Sequence, residues 1–332
     1  MSCGENLWKK MKILIIQTSE YDFCSASLIE GLNCLIAKGV KVEIKCSERS
    51  NYAATKYWNF CDTNSDSLQN FGDESDFVLI TSNNGVKEGL IKSSWEDKLV
   101  YLDGEDKYIY NRKPEDYLIY FKREMRINQE HEHNVFPFPF AAENRYFHIK
   151  PDFENFHIHR NISVCCMFGP HDSTKPWRKN IEDKLIEMNI QNSFIKNNYD
   201  GISTVDIDTG GRDHSSYYAT LANSKIAVDA YGAYGCNAGR FWESLAAGCL
   251  LFTQPILIHM PNAFNINHLI QFSSPSTMEK EIKDFLRDTK EANKMMVEIA
   301  KNGYEHLLRY HTTEARARYF LDTLQNYLRD NL

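Results

Sequence analysis

The stretch NAGRFWESLAAGC, residues 237–249, sets an arginine and a glutamate about one turn apart at the mouth of a small, apolar segment that a glycine closes. A guanidinium presents a rigid fork of donors that fits phosphate oxygens bidentately. A carboxylate one turn further in can accept two hydrogen bonds from a vicinal diol such as a ribose. Gly235 and Gly239 allow backbone to come close to a ligand, and the N–H groups of a first helical turn suit a diphosphate. Arg240 and Glu243 are therefore candidate ligand-binding residues for a diphosphate and a diol. The residues alone leave a second reading open, in which Glu243 complements the helix dipole and Arg240 is a surface charge.

Other groups are placed for chemistry by their position after apolar runs. The loop GPHDSTKPWRKN (169–180) carries Gly169, His171, Ser173, Thr174, Lys175 and Arg178 between a strand and a helix, a setting that favours anions. Its alternative is a solvated basic turn. Asp103, Glu105 and Asp106 follow KLVYLD, and Lys122, Arg123 and Glu124 end the next strand-like run. Asp103 and Glu105 are the candidates for a base that activates a hydroxyl, and Lys122, Arg123 and Glu124 can instead ligate a sugar or phosphate, with Glu124 a further catalytic candidate; solvated acidic loops are the alternative. His214 opens a helix-like segment and is a candidate for binding a phosphate. The pairs His131/His133 and His157/His159 lack the cysteine or acidic partners of a zinc site, so no metal is assigned.

These groups need elements to hold them. KILIIQTS (12–19), FCSASLIEGLNCLIAKG (23–39) and VKVEIKC (40–46) read as a β-α-β unit, which implies a parallel sheet. Strands are expected at 76–81, 98–103 and 117–121, with loops at 47–75 and 104–116. Residues 127–161, rich in prolines and aromatics and including FPFPF (136–140), read as a domain connection. The pattern then restarts: a strand at 161–169, a helix through 180–189, a helix at 215–224, strands at 225–232, 249–255 and 269–273, and a helix over 239–247. Ser276-x-x-Glu279 reads as a capping box opening a helical end.

Length and composition set the frame. A chain of 332 residues exceeds one ordinary core, so two domains are expected. Net charge is −7, which argues against nucleic acid as a partner. No run approaches the roughly 18 apolar residues of a spanning helix, although peripheral membrane contact stays open. The N-terminus lacks the apolar core of a secretory signal. The nine cysteines are odd in number and scattered without a C-x-x-C pair, which fits reduced thiols in a cytoplasmic setting. The first β-α turn, QTSEYDFCS, has no G-x-G-x-x-G, which weighs against a dinucleotide enzyme.

HSSYYATLANSKIAVDAYGAYGCNAGRFWESLAAGCLLFTQPI (214–256), with EIAKNGYEHLLRYHTTEARARYFLD (298–322), resembles the nucleotide-sugar-binding half of group 1 glycosyltransferases, nearest their CgeB-like branch. The shared features are N-x-R-x-F-E-x-x-A-x-G, the upstream YY…LANSKI and a late H-T…R-A helix. LDGEDKYIY and YFKRE (102–124) are similar to related N-terminal halves, less specifically. The resemblance implies an α/β fold of GT-B type, two Rossmann-like parallel-sheet domains facing a cleft. Residues 1–10 would form an extension, 11–155 the acceptor-side domain, 156–310 the nucleotide-sugar domain, and 311–332 a helix crossing back to the first domain. The implied reaction moves a hexosyl group from a nucleoside-diphosphate sugar to a hydroxyl-bearing acceptor, with no cofactor beyond that co-substrate and no obligatory metal. Glu243 matches the second glutamate of the family's E-x7-E and would hold the ribose, while Asn237 and Arg240 match the branch's own N and R. Gly235 stands where the first glutamate is expected, which leaves donor and stereochemistry open. An epimerase or hydrolase of the same fold, or an inactive nucleotide-sugar-binding module, are the alternatives.

Overall fold

The computed structural model describes residues 10–17, 23–47, 64–81, 90–147, 149–168, 175–196 and 214–330. The expected extension and Gly169, His171, Ser173 and Thr174 lie outside these residues, apart from Lys10. The chain divides into two compact units, Met1–Pro139 with Thr313–Leu332, and Phe140–Thr312. The division falls at Pro139/Phe140, not at 155/156, and the return at Thr313.

In the first unit, the apolar runs become strands buried on both faces, as a parallel sheet with covered faces requires. They are β1 (Met11–Ile16), β2 (Val42–Cys46), β3 (Phe77–Thr81), β4 (Leu99–Asp103), β5 (Ile119–Lys122) and β6 (Val135–Pro137), all parallel, in the order β2-β1-β3-β4-β5-β6. Helix α1 (Phe23–Ala37) links β1 to β2. A second helix, α2 (Ser65–Asp73), lies where the composition read as loop; Asn64 caps it by accepting from Ser67 N, and Leu68 and Phe71 are its buried anchors. Strand β6 is a further departure, since it comes from the proline-aromatic connection and sits at the sheet edge, where proline is tolerated.

The second unit repeats the plan. Short α3 (Phe156–His159) precedes β7 (Ile162–Met167), followed by α4 (Pro176–Glu187), β8 (Phe194–Lys196), α5 (His214–Ala222), β9 (Ser224–Val228), α6 (Gly239–Ala246), β10 (Leu250–Thr253) and β11 (Ile270–Gln271). The parallel sheet has the order β11-β10-β9-β7-β8. Renumbered from its own first strand, this is the order of the first five strands of the other sheet. Each order reverses beside the unit's first strand, and the crevice at the carboxyl ends of the strands flanking such a reversal is where open α/β sheets take ligands. In the second unit those strands are β7 and β9.

The helical end comprises α7 (Pro275–Phe285), α8 (Lys290–Tyr310) and α9 (Thr313–Asp330). The capping box exists, but on Ser274 and Thr277 and not on Ser276 and Glu279: Ser274 Oγ accepts from Thr277 N at 3.1 Å, and Thr277 Oγ1 accepts from Ser274 N at 3.0 Å. Pro275, whose ring suits the first helical position, fixes the start there. Within the first unit α9 packs on α1 so closely that a Cβ on Gly31 would stand 2.0 Å from the Thr313 carbonyl oxygen. No described helix is long and apolar enough to cross a membrane.

Candidate donor site at the carboxyl edge of the second sheet

Strand β9 ends at Val228, and the next residue, Asp229, is still tied to the sheet, its N–H donating to Phe252 O at 2.8 Å. The chain then turns through Gly232 and a single 3-10 turn at Ala233–Gly235 before α6 begins. Gly235 has φ +81°, the left-handed region in which a side chain is strained. Backbone geometry thus accounts for a glycine at this position. The N-cap of α6 is Ala238, whose side chain makes no capping bond, and Phe241 N–H turns back to Ala238 O at 3.1 Å.

Around that helix start the polar side chains are almost wholly buried. Arg240 is 6% exposed and its Nε donates to Asp229 Oδ1 at 3.2 Å, while Asp229 is 2% exposed. Burial pushes the Asp229 carboxyl up to about 6, against the opposing pull of Arg240 and then Arg178. Glu243 is held by Tyr217, whose hydroxyl donates to Oε2 at 2.5 Å. Its other oxygen faces the helix start, 3.9 Å from where a Cβ on Gly239 would stand. Asn237 is buried, and its Nδ2 meets no acceptor among the described residues.

From the neighbouring strand, Phe168 at the end of β7 presents a ring to two cations: Arg240 Cζ lies 5.3 Å and Arg178 Cζ 5.8 Å from its centroid. Arg178 sits in the first turn of α4, and both its Nε and Trp177 Nε1 donate to Tyr231 O at 3.0 Å. The start of α4 is thereby joined to the turn after β9. Asn237, Gly239, Arg240, Glu243 and Arg178 therefore converge. Lys175 is the N-cap residue of α4. His214 opens α5, and its side chain lies outside the described atoms, as does Gly169. Reasoning from sequence missed Asp229 and Tyr217. Asp229 carries the signal applied to Asp103, a carboxylate immediately after a buried strand.

The candidate bases fare differently. Asp103 and Lys122 are cross-strand partners at the ends of β4 and β5, both with 0% exposure, and Lys122 Nζ donates to Asp103 Oδ2 at 2.9 Å. The same oxygen accepts from Tyr120 OH at 2.6 Å and Asn111 N at 3.0 Å, and Oδ1 accepts from Glu105 N at 3.2 Å. Asp103, expected to face an acceptor, instead ties the strand ends and the following loop together. Glu124 is likewise buried, its Oε1 accepting from Arg123 Nε at 3.1 Å, and Arg123 also pairs with Asp106. Among the three candidates, Glu105 alone is half-buried.

Three of the four histidines in these pairs have structural partners among the described residues. His131 Nδ1 meets Tyr110 OH at 2.7 Å and its Nε2 meets Arg126 O at 2.8 Å. His157 Nε2 contacts Asn293 O, and His159 faces Asp152. No group of three or more His, Cys, Asp or Glu among the described residues is arranged to hold a metal ion.

Residues 189–322 match the family model Glyco_trans_1_2, described as glycosyl transferase-like. That span contains α5, β9, α6 and the whole convergence at the α6 start except Arg178 and Phe168. No curated protein matches the sequence. In fold, the chain is similar to a glycosyltransferase from Rickettsia africae, with a TM-score of 0.65 and 12% identity over 97% of this chain and 100% of that one. It is also similar to Anabaena HepE in complex with UDP-glucose, with a TM-score of 0.57 and 10% identity over 95% and 100% of the two chains. An α-glucosyltransferase in complex with UDP-glucose and DNA containing an abasic site gives a TM-score of 0.59 and 12% identity over 95% and 99%. At such identities the likeness is one of fold, and it bears out the expected α/β architecture of GT-B type. The family match bears out the expectation of a glycosyltransferase.

Proposed function

We propose that the protein moves a hexosyl group from a nucleoside-diphosphate sugar to a hydroxyl-bearing acceptor, with the donor held at the start of α6. One observation carries this reading: an uncapped helix start at the sheet reversal, where buried Arg240, Asn237 and Glu243 converge inside the glycosyl transferase-like span. Arg240, with the first-turn N–H groups, neutralises the diphosphate as the bond to the sugar breaks, a role that needs positive charge or oriented N–H dipoles and no obligatory metal. Glu243, fixed by Tyr217, accepts from the ribose hydroxyls. Glu105 is the base candidate that retains exposed surface. The likeness of Asn237, Arg240, Glu243 and the late H-T…R-A helix to the CgeB-like branch supports that branch as the nearest one. Net charge −7 argues against a DNA acceptor for this chain, and the seven free cysteines among the described residues fit a cytoplasmic setting.

The test is a thermal-shift screen of UDP-, GDP-, ADP- and TDP-sugars, in which a ligand at 100 times its Kd stabilises by about 2.7 kcal/mol. Arg240→Ala should weaken the nucleoside diphosphate about 10- to 100-fold and leave the bare nucleoside unaffected, the scale of a lost charge-assisted hydrogen bond. Glu243→Ala should weaken both. Unchanged binding and transfer in both folded variants would sink the reading. Full turnover of the sugar nucleotide without acceptor would indicate an epimerase or hydrolase instead.

A further inference from the structure

We propose that Asp229 is the positioning residue of the donor site, holding Arg240 through Nε so that its guanidinium is set at the start of α6. The inference rests on the donor-site reading above. Three observations carry it. Asp229 is fixed before any ligand arrives, because it follows β9 directly and its own N–H is bonded to Phe252 O at 2.8 Å in β10's direction of the sheet. Its carboxylate meets Arg240 at Nε, 3.2 Å away, which is the side of the guanidinium next to the stem and not the end of the fork. The Phe168 ring restrains the same guanidinium from the end of β7. An arginine side chain has several rotatable bonds, and ordering them on binding lowers affinity. A carboxylate and a ring supplied by two central strands set that order in advance. Asp229 itself is 2% exposed and acts through Arg240, not on the donor.

A double-mutant cycle on the full chain tests this, with UDP, GDP, ADP and TDP as probes and Kd as the readout. Asp229→Asn, nearly isosteric, should weaken the diphosphate that binds by about 10-fold in the parent, the scale of one hydrogen bond to a charged group. In an Arg240→Ala background the same change should alter Kd by less than about twofold, since its route to the ligand is gone. A role confined to packing would weaken binding equally in both backgrounds, and that result overturns the inference. So does an unchanged Kd for Asp229→Asn in the parent. If Asp229→Asn does not fold, Asp229→Glu carries the same cycle, because it keeps the charge and displaces the oxygen. The Arg240 Nε–H resonance, identified by its loss in Arg240→Lys, should shift in either Asp229 variant. A folded parent that binds none of the four diphosphates overturns the donor-site reading and this inference together. Failure of Asp229→Asn alone overturns only this one.

Discussion

Asp103 and Asp229 both follow a buried strand directly, yet the two carboxylates do different work. Asp103 faces Lys122 across the β4–β5 ladder, with Tyr120 and two backbone N–H groups completing its shell. A fully buried ion pair contributes little against an apolar substitute, but removing one partner strands the other charge. Asp103→Asn should therefore cost about 3–5 kcal/mol of stability, read as a lower urea midpoint. A loss of transfer without that shift would return Asp103 to the list of bases. Asp229 instead faces Arg240 at the second sheet's reversal, beside an uncapped helix start. The two carboxylates thus differ in the strand end they occupy and in the cation that faces them.

At the scale of elements, caps mark which helix starts are finished locally. Helices α2, α7 and α8 are capped by Asn64, Ser274 and Thr289, whereas α6 begins at Ala238 with no side-chain bond. The pairing of α1 with α9 depends on close approach, and Gly31 has no room for a methyl group against the Thr313 carbonyl and the Ala317 side chain. Gly31→Ala should cost about 1–3 kcal/mol by overpacking and should speed proteolysis within α9. An unchanged melting temperature and cleavage pattern would refute the close contact. The strands and the longer helices were legible because burial on both faces demands continuous β-branched runs, and amphipathic helices repeat their spacing. Helix α2 was not, since it rests on Leu68, Phe71 and a cap. Short β6 and β8 were not either, since edge strands need few apolar residues.

For the whole molecule, the histidines of the second unit set an acid limit. His268 and His306 stack at 4.1 Å, and burial holds both rings below their usual pKa, helped in His268 by His306 and opposed in His306 by the bond to Asn262 O. The unfolded chain protonates these rings at about 6.5, so it binds more protons than the fold as the pH falls below that value. Stability should therefore decline between pH 7.5 and 6. Asp229, raised to about 6, works the other way below that pH, because its fold-bound proton is the tighter one. Urea midpoints across pH 5–8 should show the decline first, and His306→Asn should flatten it; a flat parent profile above pH 6 would contradict this account.

The sequence by itself determined two α/β halves, the glycosyl transferase-like segment, and Arg240, Glu243 and Asn237 as neighbours, because these follow from local spacing within one β-α turn. Only the tertiary structure decided the rest. It paired Asp229 with Arg240 and Tyr217 with Glu243, brought Arg178 to the same Phe168 ring as Arg240, closed Asp103 into a buried pair, and placed Gly235 at a positive φ that a glutamate would strain. The Gly235 turn apart, these depend on how the elements pack, and the Arg178–Phe168 and Asp103–Lys122 contacts on which strands lie side by side. Strand order brings together residues tens of positions apart, and no local periodicity records it.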